Sequence, residues 1–396
     1  MPAVAGRARS EMSFWLIVLV VVLNHGCLKG AKVLMSLSSI ELGASPATIG
    51  LLYAMYSLLP ALLSVYAGKL SDRRGFGSLA TLASAGLCAG LLLPYCFAGL
   101  GTLFASAAIA GASYIFYIVA IQHLFGSIGE GADRTRNYGI FAICVSVTSL
   151  VGPVTAGFSI DVIGHRGSWL LIASFPAVAT LALWLFSARL PVHRPHERPA
   201  GRQRLLDLLH NAPLRRVLLA TAFLETGMEL FNFLMPIYGH SIGLSASRIG
   251  IVMGSFALAM MLVRIVMPRL ARRWSEERVF SVSLFVAGSV SLFFPLVSGF
   301  VPLLAAAFVL GLGFGSGAPL SMALSYNRAP AGRTGEAIGL RQTVNKGIEA
   351  TVPAAFGFLS AAFGMVPVYW VGALLLGCGG WLMHGDARRK SAKRNS

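Results

Sequence analysis

A chain of 396 residues that is 56% hydrophobic and only 12% charged, with a mean hydropathy of +0.73, carries more apolar surface than a water-soluble domain of that length can bury. Its net charge of +17 comes from 32 Lys and Arg scattered over short segments between apolar stretches, which argues against nucleic acid as a partner. The five cysteines lie in apolar stretches without ligand spacing or a disulfide pattern, so neither metal nor cofactor is expected.

A spanning helix needs about 20 mostly apolar residues to cross a hydrocarbon core of about 30 Å. Twelve such stretches are expected, at 12–36, 47–70, 77–98, 101–125, 137–161, 167–188, 216–240, 246–270, 277–298, 300–326, 336–363 and 365–384. The first follows Arg7 and Arg9 but is too long for a signal peptide, and it contains Asn24 and His25. His25 reads either as a hydrogen-bonded packing residue or as a proton carrier. Lys29 and Lys32, nearer the outer end, either snorkel or ligate. After the second stretch comes Gly68-Lys69-Leu70-Ser71-Asp72-Arg73-Arg74-Gly75. Gly68 permits close approach of two backbones, and Asp72 at the rim can face a helix N-terminus or an arginine. In the fourth stretch Tyr114, Tyr117 and Gln122 are the main polar groups. The fifth reads Thr148-x-x-x-Gly152-Pro153-Val154-Thr155-Ala156-Gly157, a tightly packing and bendable helix.

The most polar segment, from Arg189 to Arg216, holds Pro191, Pro195, Pro199 and Pro213 and reads as a linker with a short surface helix at Leu205–His210. It divides the chain into a six-helix half at 1–188, a linker at 189–215, a second half at 216–384 and a basic tail at 385–396. The halves look related at an offset of 200: Ile49-Gly50 matches Ile249-Gly250, and Gly111, Gly139, Pro153 and Gly157 match Gly311, Gly339, Pro353 and Gly357. Two parallel six-helix repeats are a transporter design.

Acids inside the expected spans are scarce. Glu225 and Glu229 are four residues apart on the seventh span and share a face that Asn232 continues. Counted from Val217 at 1.5 Å per residue they lie roughly 12 and 18 Å deep. Two carboxyls this close and out of water favour holding a proton. The bland alternative is a glutamate satisfied by a basic partner. On the eleventh span Arg341, Asn345 and Glu349 form one stripe, with Lys346 three residues before Glu349. Lys346 is either neutralised by Glu349 or free for an anionic substrate group. Gly311-x-Gly313-x-Gly315-x-Gly317 imitates a dinucleotide fingerprint but lies within an apolar span, so helix packing is expected, and no phosphate-binding Gly-x4-Gly-Lys-Ser/Thr loop occurs.

Placing the N-terminus in the cytoplasm leaves 25 of the 32 Lys and Arg on the cytoplasmic side and only Arg166 and Arg248 in outer loops, which puts both termini inside. The string Gly68–Gly75 resembles the loop signature of the major facilitator superfamily, Gly-x-Leu-x-Asp-Arg-x-Gly. Phe76 and Gly77 stand where that family usually has further basic residues. Residues 148–157 resemble the Gly-x-x-x-Gly-Pro-x-x-Gly-Gly string of its antiporter branch. The resemblance implies an all-α membrane protein of twelve transmembrane helices in two pseudo-symmetric halves. It further implies a gating role for Gly68, Asp72, Arg73 and Gly75, and an antiporter-like role for Gly152, Pro153 and Gly157.

The expected function is secondary active transport, with proton-driven export of a small organic molecule by alternating access. Proton-coupled uptake of an organic anion is the competing reading, and a non-transporting receptor or enzyme a remote one. Glu225, Glu229 and Glu349 are the proton-coupling candidates. Asn24, His25, Tyr114, Tyr117, Asn232, Arg341, Asn345 and Lys346 are the cavity candidates. The expected setting is a bacterial-type inner membrane, with a monomeric, multi-pass chain whose partners are substrate, protons and lipid.

Overall fold

A computed structural model describes residues 2–74, 76–127, 132–186, 205–330 and 333–395; within these, the side chains of 2–13, 65, 68, 69, 71–74, 76, 123–127, 132–139, 205, 206, 268, 271, 272, 334, 335 and 389–395 lie outside the description. Every extended element is an α-helix: α1 (Pro2–Glu41), α2 (Pro46–Arg74), α3 (Phe76–Cys96), α4 (Leu100–Ser127), α5 (Ala132–Leu185), α6 (Ala212–Ser241), α7 (Ala246–Arg273), α8 (Glu276–Phe293), α9 (Phe300–Gly315), α10 (Gly317–Arg328), α11 (Thr334–Phe363) and α12 (Met365–Asn395). With no water in the hydrocarbon core, a backbone group left unpaired there is costly, so helices run unbroken even through Pro60, Pro153, Pro236 and Pro353. The starts of α6, α7 and α8 are capped by side chains. Asn211 accepts from the Leu214 N–H at 3.1 Å, Ser245 from Arg248 at 3.4 Å and Ser275 from Arg278 at 3.3 Å.

Helices and crossings do not correspond one to one. Among the described residues, ten stretches are both long and apolar enough to cross a membrane. One of them, Ile140–Leu185, is 46 residues, long enough for two crossings, and is broken at Gly164, whose φ of 72° and ψ of 172° leave the helical region. The expected tenth span is divided into α9 and α10 at Ser316. The expected eleventh is α11, 30 residues long but too charged, with Arg341, Lys346 and Glu349, to read as a plain apolar crossing. The helix α12 continues through most of the expected basic tail, and Leu205–His210 is a 3₁₀ turn rather than an α-helix. Leu208 of that turn is buried against Leu214, Leu218, Ala337 and Leu340, which ties the end of the linker to the helices beside it. Residues 187–204 lie outside the description.

The chain packs as two compact units. The first comprises Met1–Ala44 with Met55–Pro199, the second Ser45–Ala54 with Ala200–Ser396. In the first, Ile17, Val20 and Val21 of α1 pack with Leu79 and Ala83 of α3, Tyr117 and Ile121 of α4, and Ala179 and Leu183 of α5. In the second, aromatic rings fill the core: Phe231 stacks on Phe256 with centroids 4.2 Å apart, and Phe294 stacks on Tyr369 at 5.3 Å. Gly313 and Gly315 each leave no room for a side chain, because a β-carbon would stand 2.9 Å from the Ala287 nitrogen and 2.8 Å from the Met260 carbonyl. Leu62, Leu82, Trp184, Leu374 and Trp381 are exposed, as the lipid-facing side chains of such helices should be.

Candidate functional site

Each unit gathers its polar side chains on particular helices. In the first, α1 contributes Asn24 and His25. The Tyr114 hydroxyl of α4 is hydrogen-bonded to His25 Nδ1, and the two rings lie 5.7 Å apart. Tyr117 is fully buried and donates to the Val20 carbonyl at 3.1 Å, so it ties α4 to α1 and does not project into open space. Asn24 is equally buried; its Oδ1 accepts from Ser84 of α3 at 3.1 Å, and its Nδ2 has no hydrogen-bond partner. Ser84 was not a sequence candidate, because an isolated serine in an apolar helix carries no signal until its partner is known.

Gly152 of α5 explains how α1 is held. A β-carbon there would stand 2.7 Å from the Gly26 carbonyl and 2.9 Å from the Gly30 nitrogen, so the two helix backbones are in contact beside His25. Pro153 and Gly157 are buried within a continuous helix. The expected gating string ends α2. The backbone of Gly68, Asp72 and Arg73 is helical, their side chains lie outside the described residues, and Gly75 lies outside them altogether.

In the second unit the structure brings two candidates from different helices together. Asn345 Nδ2 of α11 donates to Glu225 Oε1 of α6 at 2.9 Å. Glu229, one turn further along α6, is buried. The amide suits either protonation state of its partner: its NH2 donates to a carboxylate, while its Oδ1, buried and without a hydrogen-bond partner, can accept from a carboxylic acid. A proton can therefore come and go at Glu225 with its hydrogen bond to Asn345 kept in both states, once the amide turns over.

The other ionisable groups of α11 are engaged. Lys346 pairs with Glu349 on its own helix. Arg341 is buried and donates from Nη1 to Ser321 Oγ of α10 at 2.9 Å and from Nη2 to Met322 Sδ at 3.5 Å. Arg264 of α7 donates to the Gly315 carbonyl at 3.4 Å. Ser321 and Met322 were illegible for the same reason as Ser84. Asn232 meets the site through its backbone, its carbonyl accepting from the Tyr53 hydroxyl at 3.1 Å.

A second charged group lies at the opposite end of this unit from its α6–α7 turn. Asp386 of α12 accepts from Arg216 of α6 and Arg328 of α10, and Arg328 also donates to Glu277 of α8 at 3.2 Å and to the Pro213 carbonyl at 3.2 Å. Asp386 and Glu277 are buried. The ends of α6, α8 and α10 are thereby joined to α12 by charge-assisted hydrogen bonds.

A sequence model of the Major Facilitator Superfamily matches residues 14–348 and 217–396. The chain is 27% identical over 327 residues to the multidrug resistance protein MdtL of Shewanella oneidensis, covering 76% of this chain and 78% of that one. It is 23% identical over 370 residues to the quinolone resistance protein NorA of Staphylococcus aureus, covering 90% and 92%. Among solved structures, a variant of the peptide transporter POT superposes with a TM-score of 0.79 at 12% identity, covering 95% and 94%, and a variant of the nucleoside transporter NupG with 0.78 at 14%, covering 94% and 99%. With a family match spanning nearly the whole chain on an all-helical, multi-pass fold, this protein is a membrane transporter and belongs to the major facilitator superfamily.

Proposed function

We propose that the protein is a proton-driven exporter of small organic molecules, working by alternating access of the halves 1–188 and 216–384. The observation that carries this reading is the Glu225–Asn345 hydrogen bond with Glu229 one turn away: a membrane-embedded carboxyl whose partner accommodates both of its protonation states. Relatives named for multidrug and quinolone resistance support export. The competing reading, uptake of an organic anion, calls for a free cation inside the spans, and it is weakened because Lys346 is paired with Glu349.

The chain sits in an inner membrane as a monomer, with both termini and the 189–215 linker in the cytoplasm and no nucleic acid among its partners; the distribution of Lys and Arg supports this orientation. Asp72 stabilises the outward-facing state. The energy source is tested in proteoliposomes under an imposed pH gradient, with a quinolone as substrate. In the Glu225→Gln/Glu229→Gln double variant uphill transport should vanish while substrate counterflow persists. Both positions are changed because neighbouring carboxyls titrate as a unit. Undiminished uphill transport at normal expression would rule out the pair and leave Glu349 as the carrier to test.

A further inference from the structure

At the end of the first unit where α1 finishes lies a cavity of about 610 Å³, within the size range of small-molecule sites. That end faces outward in the orientation proposed above. Its walls include Ser38 and Glu41 on the last turns of α1, Cys96 and Phe97 where α3 ends, Leu103 of α4, and His165 and Arg166 just past the break in α5. Glu41 is the one acid among the lining residues, and its side chain is 61% exposed. Phe97, in the same lining, is also exposed. Arg166, the permanent cation, is drawn to one wall: its Nε donates to the Tyr95 carbonyl at 2.9 Å and its guanidinium lies over the Tyr95 ring at 5.2 Å.

His165 is fixed at both nitrogens. Nδ1 is 3.1 Å from Ser38 Oγ and Nε2 is 3.4 Å from Glu41 Oε2. In the neutral ring Nε2–H donates to Glu41 and the serine hydroxyl donates to Nδ1. In the protonated ring both nitrogens donate, and the serine hydroxyl becomes the acceptor. The ring gains a proton without moving, and an imidazole does so between pH 5 and 8. Among the described residues the other charged and titratable groups around it are Glu41 on α1, Tyr95 and Cys96 at the end of α3, Arg166 beside it and Asp161 before the break in α5; Asp161 is exposed and does not line the cavity.

We propose that this cavity is an exit-side station for an amphipathic organic cation, held by Glu41 and the Phe97 ring, and that protonation of His165 evicts the cation. It rests on the export reading for its direction. A carboxylate and an exposed aromatic ring lining one cavity are the chemistry that selects an organic cation over a neutral solute. On the acidic outer face of an energised membrane, His165 takes up a proton, pairs with Glu41 and adds a repelling charge, so a delivered cation is released and not returned.

Cys96 is exposed in the cavity wall and reports occupancy directly. The other four cysteines are changed to alanine, and the rate of Cys96 modification by a membrane-impermeant maleimide is measured on intact cells. Each rate is expressed relative to that without ligand at the same pH. Tetraphenylphosphonium should slow labelling in a saturable manner at pH 8. Protection should be lost in Glu41→Gln, and should need about fivefold more cation at pH 5.5, as expected for one added charge at a solvated site. In His165→Asn the pH dependence should disappear. Absence of protection at millimolar cation, or full protection in Glu41→Gln, would overturn the site; pH dependence surviving in His165→Asn would overturn the eviction step. Labelling of Cys96 only from inverted vesicles would overturn the orientation, and the exit-side assignment with it. If the cysteine-depleted chain does not fold, equilibrium dialysis of labelled tetraphenylphosphonium against the Glu225→Gln/Glu229→Gln chain, with and without Glu41→Gln, reads the same site. Failure of the export reading leaves that binding untouched, so the two ideas are separable.

Discussion

Replacing Gly152 with alanine tests how far the first unit depends on backbone contact between α1 and α5. The added carbon would stand 2.7 Å from the Gly26 carbonyl oxygen, 2.8 Å from Lys29 Cβ and 2.9 Å from the Gly30 nitrogen. Ordinary contact begins near 3.4 Å, and two of the three obstacles are backbone, so no rotamer change relieves them. The helices must separate by about half an ångström over a full turn. Overpacking of this kind costs about 1–3 kcal/mol, against which alanine recovers up to about 1 kcal/mol of helix propensity. The net expectation is a loss of about 1–2 kcal/mol, read as a lower unfolding temperature in detergent. Transport should fall by more than the lost stability explains, because Gly26 adjoins His25 and its displacement pulls the imidazole from Tyr114. Gly30→Ala meets the same surface from the other side, 2.9 Å from the Gly152 carbonyl, so the double variant should not be rescued. The control is Gly347→Ala on α11, where nothing lies within 4 Å and alanine should be neutral or gain up to about 1 kcal/mol. Wild-type unfolding and transport in Gly152→Ala, or equal damage in Gly347→Ala, would refute the reasoning.

Three further outcomes follow from other parts of the molecule. Asp386→Ala should destabilise the second unit by about 2–3 kcal/mol, less than a fully buried pair because Arg216 can turn to water and Arg328 keeps Glu277; an unchanged unfolding temperature would show that the joined helix ends add nothing. Asp72→Asn should insert normally, transport poorly and leave the cavity more accessible from the cytoplasm, and normal transport would reduce the 68–75 string to a turn. Single cysteines placed in the 189–215 linker should resist an impermeant reagent in intact cells and react in inverted vesicles; reaction from outside would reverse the orientation.

The crossings were legible because a bilayer imposes length and apolarity on sequence. The polar stripes were legible because an ionisable side chain in an apolar run stands out against a low background. Asn345 and Glu225 were both visible in this way, but their hydrogen bond depends on the approach of α6 and α11, which no periodicity in either helix encodes. Ser84 and Ser321 were hidden among many serines that satisfy themselves on their own helix, as Ser39 does on the Met35 carbonyl. Asp386 and Arg328 were hidden for another reason: amid basic segments between apolar stretches, an arginine reads as a topology signal whether or not it also joins helices. The break between α9 and α10 at Ser316 was masked by the glycines around it, which read only as packing residues.

The relation between the halves is written in backbone geometry more clearly than in side chains. Among the described residues the positive-φ glycines are Gly43, Gly99, Gly164, Gly243, Gly299 and Gly364, and the last three repeat the first three 200 residues later. The repetition extends to hydrogen bonds. Gly43 and Ala44 donate to Ile40 and Ser39 at 2.9 Å each, while Gly243 and Leu244 donate to His240 and Gly239 at 3.0 and 2.9 Å, the same left-handed helix stop made twice. A left-handed stop tolerates little but glycine, and a span of fixed thickness tolerates no insertion, so these positions hold while the core drifts. Gly111 lies under the carbonyl of Tyr56, and Gly311 under that of Phe256. The same register exposes where the halves have parted. His25, Lys29 and Lys32 of α1 correspond to Glu225, Glu229 and Asn232 of α6, bases and lysines in one copy against acids and an amide in the other.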